Sequence, residues 1–506
     1  MLPQQRWHEV LYVDCANKAG AAHGGACATA GNCLRQRLVV GAVEWWWLST
    51  VGRPCSTRCW SSPIWLRSSP KVASVQPQSR APVLTVLHDA DFRTIWCVGG
   101  LSEVARWMEH LVLSWLIWQV TRSPLPLALV LVFNNLPRPL CSPFAGLLAD
   151  RLSRRRILIG AQLLNTATAL AVLALLILER LQPWQVFVAV ALQGVARSLE
   201  DPARRTAILD LVGTGRLVNA LSLDVLNNTT GKLLGPLLGG VLVETVGFPG
   251  TYGCVLAVHI VNLGFMTRLR IPPAQGARPG EPLWHSLAVA VRYAVHSPML
   301  LGLLYVTMVM NALAFPIRQF IPAIGSEYLG VGAGLVGLLA AAESFGQLAG
   351  AGVIACSRHL QYHGRVFVGG SVIVLIMAML FIRVPWYGLA FALLALGGCG
   401  QAGFSTMQST ITMLVTPTVM RGRMMGLLSV CIGAATPLGT LEMGVLATTF
   451  TIQHAIAVNA LLGLLLLVPA VALTPLVWQR VTHLSEDGAK PTPPISSARK
   501  TDGTAS

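Results

Sequence analysis

Long apolar stretches follow one another from Phe92 to about residue 478, and short polar turns separate them. A helix that crosses the hydrocarbon core of a bilayer needs about twenty apolar residues, and nearly every stretch reaches that length. Charged residues make up 11% of the 506-residue chain, whereas soluble domains carry about 25%. This pattern predicts an all-α polytopic membrane protein.

The apolar stretches predict twelve transmembrane helices. Their predicted bounds are 93–119, 125–149, 157–178, 183–203, 219–246, 251–269, 298–322, 331–355, 365–384, 386–415, 424–447 and 452–478. A cytoplasmic linker at 271–297, rich in proline and arginine, divides them into six and six. We therefore predict an N-terminal half at 89–270, a C-terminal half at 298–480 and a cytoplasmic tail at 481–506.

The first 88 residues differ from the rest, because they are rich in Cys, Ser, Arg and Pro and lack a steady period. We predict that 1–88 is an extension outside the membrane, either disordered or produced by a misassigned start. Its possible metal ligands are His8, His23, Cys27, Cys33, Cys55 and Cys59. Their spacings match no standard zinc pair, so no metal and no cofactor is predicted.

Basic residues concentrate in alternate loops of the predicted topology. These loops contain Arg151, Arg154, Arg155, Arg156, Arg204, Arg205, Arg216, Arg268, Arg270, Arg278, Arg292, Arg358, Arg365, Arg421 and Arg423. Cytoplasmic loops carry an excess of Lys and Arg. Both termini are therefore predicted to lie on the cytoplasmic side of a cell membrane, which is a plasma membrane or an inner membrane. The net charge of +16 is then explained without a nucleic-acid partner.

A short turn after the second predicted helix reads Gly146-Leu-Leu-Ala-Asp150-Arg-Leu-Ser-Arg-Arg-Arg156. It resembles the loop between helices two and three of the major facilitator superfamily, although Ser153 stands where that family usually has Gly. The resemblance implies that Asp150 bridges to the start of the eleventh helix and steadies the outward-facing state. The implied gating motif consists of Gly146, Asp150, Arg151, Arg154, Arg155, Arg421 and Gly426.

The fifth predicted helix contains Gly231-Lys-Leu-Leu-Gly235-Pro236-Leu-Leu-Gly239-Gly240. This string resembles the motif of facilitators that export by antiport. Glycines on one helix let a neighbouring backbone come close, and Pro236 removes a backbone hydrogen bond and bends the helix. We expect a tight interface that can be sealed.

Other segments resemble the facilitator branch that contains the enterobactin exporter and the macrolide efflux proteins. They include Asp91-Phe92-Arg93, Asp201-Pro202-Ala-Arg204 and Asn219-Ala220-Leu221. The resemblance covers about residues 90–480 and implies a proton-driven exporter with two parallel six-helix repeats. One departure is Val190, which stands where many drug antiporters carry an Arg in the fourth helix.

Ionisable residues inside a membrane are costly and usually face a cavity or a partner. The candidates for the cavity or for proton transfer are Glu103, Glu109, Arg138, Lys232, Arg318, Glu343 and Glu442. Glu109 has no obvious local partner, and desolvation lets a buried carboxyl hold a proton near neutral pH. Glu103 is expected to pair with Arg106, which lies one turn away on the same helix.

Two of these residues leave alternatives open, and two others suggest an ion pair. Arg138 contacts substrate in the cavity or belongs to a structural ion pair, and Lys232 lines the cavity or extends towards the membrane surface. An Arg318–Glu343 pair between the seventh and eighth helices is suggested by composition alone.

The sequence contains no phosphate-binding loop, no His-Glu-x-x-His and no Gly-x-Ser-x-Gly, so no enzyme is predicted. We predict a monomeric secondary transporter that exports small amphipathic molecules, siderophore-like, macrolide-like or drug-like, in exchange for protons across the lipid bilayer. One alternative is an importer of a metabolite or lysolipid on the same fold. Another is a membrane scaffold or sensor that transports nothing.

Overall fold

The computed structural model describes residues 83–141, 152–269, 283–356, 362–417 and 420–478, and these residues contain helices but no strand. Gly146, Asp150 and Arg151 of the predicted gating motif lie outside the described residues. So do most of the predicted N-terminal extension, half of the predicted linker and the predicted tail. The predictions for these parts of the chain therefore remain predictions.

The first part of the structure contains four helices, after a short 3-10 helix at Val83–His88. They are α1 (Ala90–Thr121), α2 (Pro124–Asn135), α3 (Arg154–Ile177) and α4 (Pro183–Arg268). The backbone of α4 leaves the helical conformation at Gly213 and Gly247, where φ is 70° and 72°. Glycine adopts such positive φ values without steric cost, so α4 consists of three segments, 183–212, 214–246 and 248–268.

The second part of the structure contains eight helices in its described residues. They are α5 (Leu283–Val295), α6 (Pro298–Val309), α7 (Ile321–Glu327), α8 (Ala333–Cys356), α9 (His363–Phe381), α10 (Tyr387–Val415), α11 (Arg421–Thr449) and α12 (Ile452–Leu473). Between α6 and α7 the chain forms a π turn at Met310–Ala314 and a 3-10 helix at Phe315–Phe320. Pro316 has no backbone N–H to donate, which favours this local departure from a regular α-helix.

Eight helical stretches of the described residues are long and apolar enough to cross a membrane. They are Arg154–Ile177, Asn219–Arg268, Pro298–Glu327, Ala333–Cys356, His363–Phe381, Tyr387–Val415, Arg421–Thr449 and Ile452–Leu473. The predicted all-α membrane class agrees with this architecture. The count of twelve spans and the two six-helix repeats stay predictions.

The glycines of the predicted antiporter motif hold the middle segment of α4 close to α1. A Cβ atom added to Gly231 would lie 2.7 Å from the Cβ of Glu103, and one added to Gly235 would lie 2.5 Å from the Cβ of Trp107. Real Cβ atoms do not approach other carbons so closely, so only glycine fits here. This contact brings the charged residues of α1 against those of α4.

Candidate functional site

A charged cavity lies between α1, α2, α3 and α4. Its volume is ≈ 30 Å³, and since one water occupies about 10–15 Å³ by this measure, it has room for about two waters. The side chains that line it are Ser102, Glu103, Arg106, Glu109, Asn134, Asn165, Gln193, Arg197, Glu200, Asp201 and His259. The cavity in this conformation thus has room for water but is too small for an organic substrate.

Glu103 is the centre of one ion-pair network. Its carboxylate contacts Arg106 on the same helix, lies 3.8 Å from Arg204 and accepts a 3.0 Å hydrogen bond from Asn228. Arg204 in turn lies 2.9 Å from Asp224. The predicted pair of Glu103 and Arg106 is confirmed, but it belongs to a wider network because α4 adds further charges.

Glu109 is the other buried carboxyl group of α1. One of its oxygens, Oε2, lies 3.5 Å from Nε2 of His259, and both residues are almost fully buried. The amide of Gln162 on α3 contacts both Nδ1 and the backbone carbonyl of His259 at 3.0 Å. Glu109 does lack a partner along α1, as expected, and its partner comes from the last segment of α4.

Arg138 takes part in a structural ion pair. Its guanidinium lies 3.5 Å from Asp201, whose carboxylate is also 3.3 Å from Arg197. These contacts agree with the second of the two predicted alternatives for Arg138. The pair connects α4 to the helical residues that follow α2.

The described part of the predicted gating motif makes contacts within each half of the chain. Arg154 contacts Asp210 and Arg155 contacts the carbonyl of Thr267, so both tie α3 to α4. Arg421 donates a 3.3 Å hydrogen bond to the carbonyl of Thr416. No described atom lies within 4 Å of a Cβ added to Gly426. The gating role of these residues stays a prediction.

Lys232 faces an aromatic ring on α1. Its ammonium lies 5.6 Å from the centre of the Trp107 ring, and the guanidinium of Arg106 lies at the same distance from that ring. Cations at this distance from an indole are attracted by its π electrons. The contact holds Lys232 against α1, and whether Lys232 lines the cavity stays a prediction.

The second half of the chain contributes fewer charged contacts. Arg318 contacts Glu343, which confirms the predicted pair, and its guanidinium also lies 4.5 Å from the ring centre of Phe315. Glu442 on α11 accepts a 2.9 Å hydrogen bond from the amide of Asn459 on α12. A role of Arg318, Glu343 or Glu442 in transport stays a prediction.

Close contacts join the two predicted halves at the ends of the helices remote from the arginine-rich turn. A Cβ atom added to Gly240 on α4 would lie 2.3 Å from the carbonyl oxygen of Ala333 on α8. One added to Gly337 on α8 would lie 2.3 Å from the carbonyl oxygen of Pro236. The two backbones touch at these glycines, which is the close approach that the motif predicts.

Polar contacts surround these glycines. Glu244, near the end of the middle α4 segment, accepts a 2.8 Å hydrogen bond from the backbone N–H of Gly334 at the start of α8. Trp118 on α1 donates a 2.7 Å hydrogen bond to the hydroxyl of Ser326 on α7. The helix ends on this side are therefore held together by hydrogen bonds as well as by backbone packing.

Sequence reasoning missed several residues that the structure brings to the site. Three of them are ionisable residues within or next to predicted membrane helices, and such residues indicate a cavity or a partner. They are His259, Glu200 and Arg204. Gln162 and Asn228 gave no such signal, because a lone amide in an apolar stretch has many possible partners. Only the packing of α3 and α4 against α1 brings these residues together.

A family model of transmembrane secretion effectors, within the major facilitator superfamily, matches residues 81–502. The chain belongs to this family. Among curated relatives, the enterobactin exporter EntS of Salmonella choleraesuis (strain SC-B67) is 26% identical over 387 residues, which are 74% of this chain and 91% of the relative. EntS of Shigella flexneri is 29% identical over 290 residues, covering 56% of this chain and 67% of the relative.

Solved transporters share the fold. A bacterial homologue of the human lysosomal transporter Spinster, in an inward-facing and unoccupied conformation, matches with a TM-score of 0.61 and 13% identity. The match covers 76% of this chain and 96% of that one. The nucleoside transporter NupG matches with a TM-score of 0.62 and 13% identity over 76% of this chain and 98% of its own. The protein is thus a multi-pass membrane transporter of the major facilitator type.

Proposed function

We propose that the protein exports small amphipathic molecules in exchange for protons, by alternating access between two six-helix halves. The observation that carries this proposal concerns the charged cavity of the first half. The backbones of α4 and α8 pack tightly together at one end of the helices, and this contact closes the structure on that side of the cavity. An exporter must receive its substrate from the cytoplasm, and a transporter closed on the outer side is in the state that does so.

The closed side is identified from the charges of the loops. Some helix ends lie opposite the arginine-rich turn, which ends with Arg154 and Arg155 at the start of α3. These helix ends contain Gly240, Glu244 and Trp118. If that turn is cytoplasmic, as the positive-inside rule indicates, the contacts at Gly240 and Glu244 close the outer side. Both termini then lie on the cytoplasmic side of a plasma or inner membrane.

The buried acids support coupling to protons. Glu103 and Glu109 line the first cavity, and Glu343 and Glu442 are the corresponding candidates of the second half. A carboxylate in an apolar environment is stabilised either by a cation or by a proton, so conformations that change its surroundings change its proton occupancy. Lys232 and Arg318 are candidates for contacts with anionic groups of a substrate, whereas Arg138 pairs with Asp201.

The substrate class is inferred from the relatives. EntS is named an enterobactin exporter, and this chain covers 91% of the length of one such protein. At 26% identity the substrate itself need not be shared. We therefore propose a siderophore-like, macrolide-like or drug-like compound, carried by a monomer.

Transport in everted membrane vesicles tests the proposal. In vesicles with an acidic interior we expect a siderophore, a macrolide or a cationic dye to accumulate, and protons to leave as it does. A protonophore should abolish the accumulation. Right-side-out vesicles test the importer alternative, because an importer would accumulate substrate inside them. Purified, folded protein that moves neither substrate nor protons in liposomes would contradict both and support a scaffold or sensor.

A further inference from the structure

We infer that Glu109, His259 and Gln162 form the proton-binding site of this protein, with the proton on Glu109 and His259 as a neutral positioning residue. The inference rests on the proposed proton-coupled function and identifies its proton site. Three helices bring these residues together: Glu109 is on α1, Gln162 on α3 and His259 on α4. All three are buried, with exposed fractions of 2%, 1% and 3%.

The amide of Gln162 determines the tautomer of the His259 ring. Its nitrogen lies 3.0 Å from the backbone carbonyl oxygen of His259, and a carbonyl oxygen accepts hydrogen bonds but cannot donate them. The amide group that faces this carbonyl must therefore be the NH₂ group. The same nitrogen lies 3.0 Å from Nδ1 of the ring, so Nδ1 accepts a hydrogen bond and carries no proton.

The remaining ring proton of His259 is therefore on Nε2. This nitrogen faces Oε2 of Glu109 at 3.5 Å. A proton added to Nδ1 would point at the NH₂ group of Gln162, so an imidazolium would lose that hydrogen bond. With Nδ1 unprotonated the ring is neutral in this arrangement, and it offers Glu109 an N–H group but not a positive charge.

Glu109 is the member of the site that gains and loses the proton. Its second oxygen, Oε1, is buried and has no hydrogen-bond partner among the described residues. A buried carboxylate without a neighbouring cation is expensive, and a proton on Oε1 removes that cost. The proton comes from bulk solvent as a hydronium ion, which gives up H⁺ and becomes water, and the carboxylate becomes a carboxylic acid.

The other charged groups around Glu109 are already engaged or are neutral. On α1, Arg106 contacts Glu103, and on α4, Arg197 lies 3.3 Å from Asp201. Tyr252 on α4 is buried, and its hydroxyl has no partner within the described part of the chain. Asn134 and Asn165 face the cavity from α2 and α3 and do not titrate.

Glu200 is the one competing acid of this cavity. It is buried, and it makes no ion pair within 4 Å among the described residues. No histidine lies within 4 Å of Glu200 among the described residues. The N–H group of His259 can stabilise ionised Glu109, so Glu109 can lose its proton as well as gain it, and we therefore place the exchanged proton on Glu109.

Infrared difference spectroscopy of the purified protein in liposomes tests the assignment without requiring transport. A change of pH should reveal the C=O stretch of a protonated, buried carboxyl group. This band should be lost in Glu109→Gln and kept in Glu179→Gln, a matched change at an exposed residue. A band that survives Glu109→Gln but disappears in Glu200→Gln would overturn the inference.

The nitrogen spectrum of labelled histidine tests the role of His259. We expect a neutral ring protonated at Nε2 in the wild type. In Gln162→Glu, a carboxylate faces Nδ1, so we expect an imidazolium and loss of the carboxyl band of Glu109. A ring protonated at Nδ1 in the wild type would overturn the positioning role, even if Glu109→Gln does not fold.

Proton flux driven by substrate separates this inference from the proposed function. If the infrared band belongs to Glu109 but no substrate moves protons, the site stands and proton-coupled export fails. If substrate drives protons equally well in wild type and folded Glu109→Gln, export stands and the site assignment fails.

Discussion

Two carboxyl groups on α1 have opposite environments, although they are only six residues apart. Glu103 contacts Arg106 and lies 3.8 Å from Arg204, whereas the one ionisable partner of Glu109 within 4 Å among the described residues is His259. A carboxylate among arginines stays ionised and holds helices together. If the proposed proton site is correct, a structural acid and a proton-carrying acid lie within two turns of one helix.

Gly240 provides a test of the contact between the backbones of α4 and α8 at the level of one residue. In Gly240→Ala the added Cβ would meet the carbonyl oxygen of Ala333 at 2.3 Å. We expect this overpacking to destabilise the closed conformation by about 1–3 kcal/mol. Thermal unfolding in detergent measures the change.

Gly253→Ala is the matched control, because no described atom outside its chain neighbours and its own helix backbone lies within 4 Å of a Cβ added there. We expect it to change stability by less than about 0.5 kcal/mol. Equal melting temperatures for the two variants would show that the contact between α4 and α8 is not tight.

The residues of the site differ in how well the sequence predicts them. The Arg318–Glu343 pair could be predicted because each is a rare charge in a neighbouring apolar stretch. The partnership of Glu109 with His259 could not, because it joins residues 150 positions apart and depends on how α4 folds back. A polar side chain in an apolar helix signals that a partner exists but does not indicate which one.

The contact between the middle segment of α4 and the start of α8 contains one charged group. The carboxylate of Glu244 accepts the N–H of Gly334, one of the N–H groups that a helix start leaves without a partner. It also lies near the positive end of the α8 dipole. The acid thus links the outer end of one predicted half to the other.

We expect removal of the charge of Glu244 to weaken the contact between α4 and the start of α8. In Glu244→Gln the hydrogen bond remains possible but the attraction between charge and helix dipole, about 0.3–1 kcal/mol, is lost. We expect a larger population of the conformation that is open on the outer side. Spin labels at Thr245 and Trp386, on the two predicted halves, would report a longer distance.

Glu327→Gln is the control for this measurement, since Glu327 is exposed at the end of α7 and near the same surface. Its distance distribution should match that of the wild type. An unchanged distribution in Glu244→Gln as well would remove the carboxylate from the closing contact.

The turn between α2 and α3 gives a second test at the level of elements. If Asp150 bridges to the start of α11, Asp150→Asn should keep the fold and lower export, because the contact between the halves loses its charge. Export in everted vesicles measures this. Asp91→Asn, at the first turn of α1, is the control, and a wild-type rate in Asp150→Asn would contradict the gating role.

Most helix bounds could be predicted from the sequence because apolar length is a strong signal. The ends of predicted spans 331–355 and 424–447 differ from those of α8 (Ala333–Cys356) and α11 (Arg421–Thr449) by three residues or fewer. The region between α6 and α7 could not be predicted in detail, because apolar length does not distinguish an α-helix from π and 3-10 turns. The gaps between the predicted spans at 204–218 and 247–250 contain the two breaks of α4, at Gly213 and Gly247, but the helix continues closer to each glycine than predicted.

At the scale of the whole molecule, the family match begins at residue 81, close to the first described residue. We expect a chain that starts at residue 81, with an added Met, to reach the membrane and transport as the full chain does. Membrane content and vesicle transport would check this. Loss of transport on this deletion would assign a function to residues 1–80.

Removal of residues 1–89 is the informative comparison. It deletes Val86, which is fully buried, and Asp89, whose carboxylate accepts the N–H groups of Asp91 and Phe92 at the start of α1. Together these losses should cost about 2–4 kcal/mol of stability. Equal stability of the two shortened chains would show that the Val83–His88 helix is dispensable.

The π turn at Met310–Ala314 also has a consequence for how the charges of the second half are arranged. A π turn holds one more residue than an α turn, so it is equivalent to a single-residue insertion. In a regular helix one extra residue turns all later side chains by about 100° around the axis. The turn absorbs that rotation locally, before Arg318 meets Glu343. The angular phase of the residues beyond the turn therefore differs from that of a continuous α-helix, and this phase is the one in which Arg318 contacts Glu343.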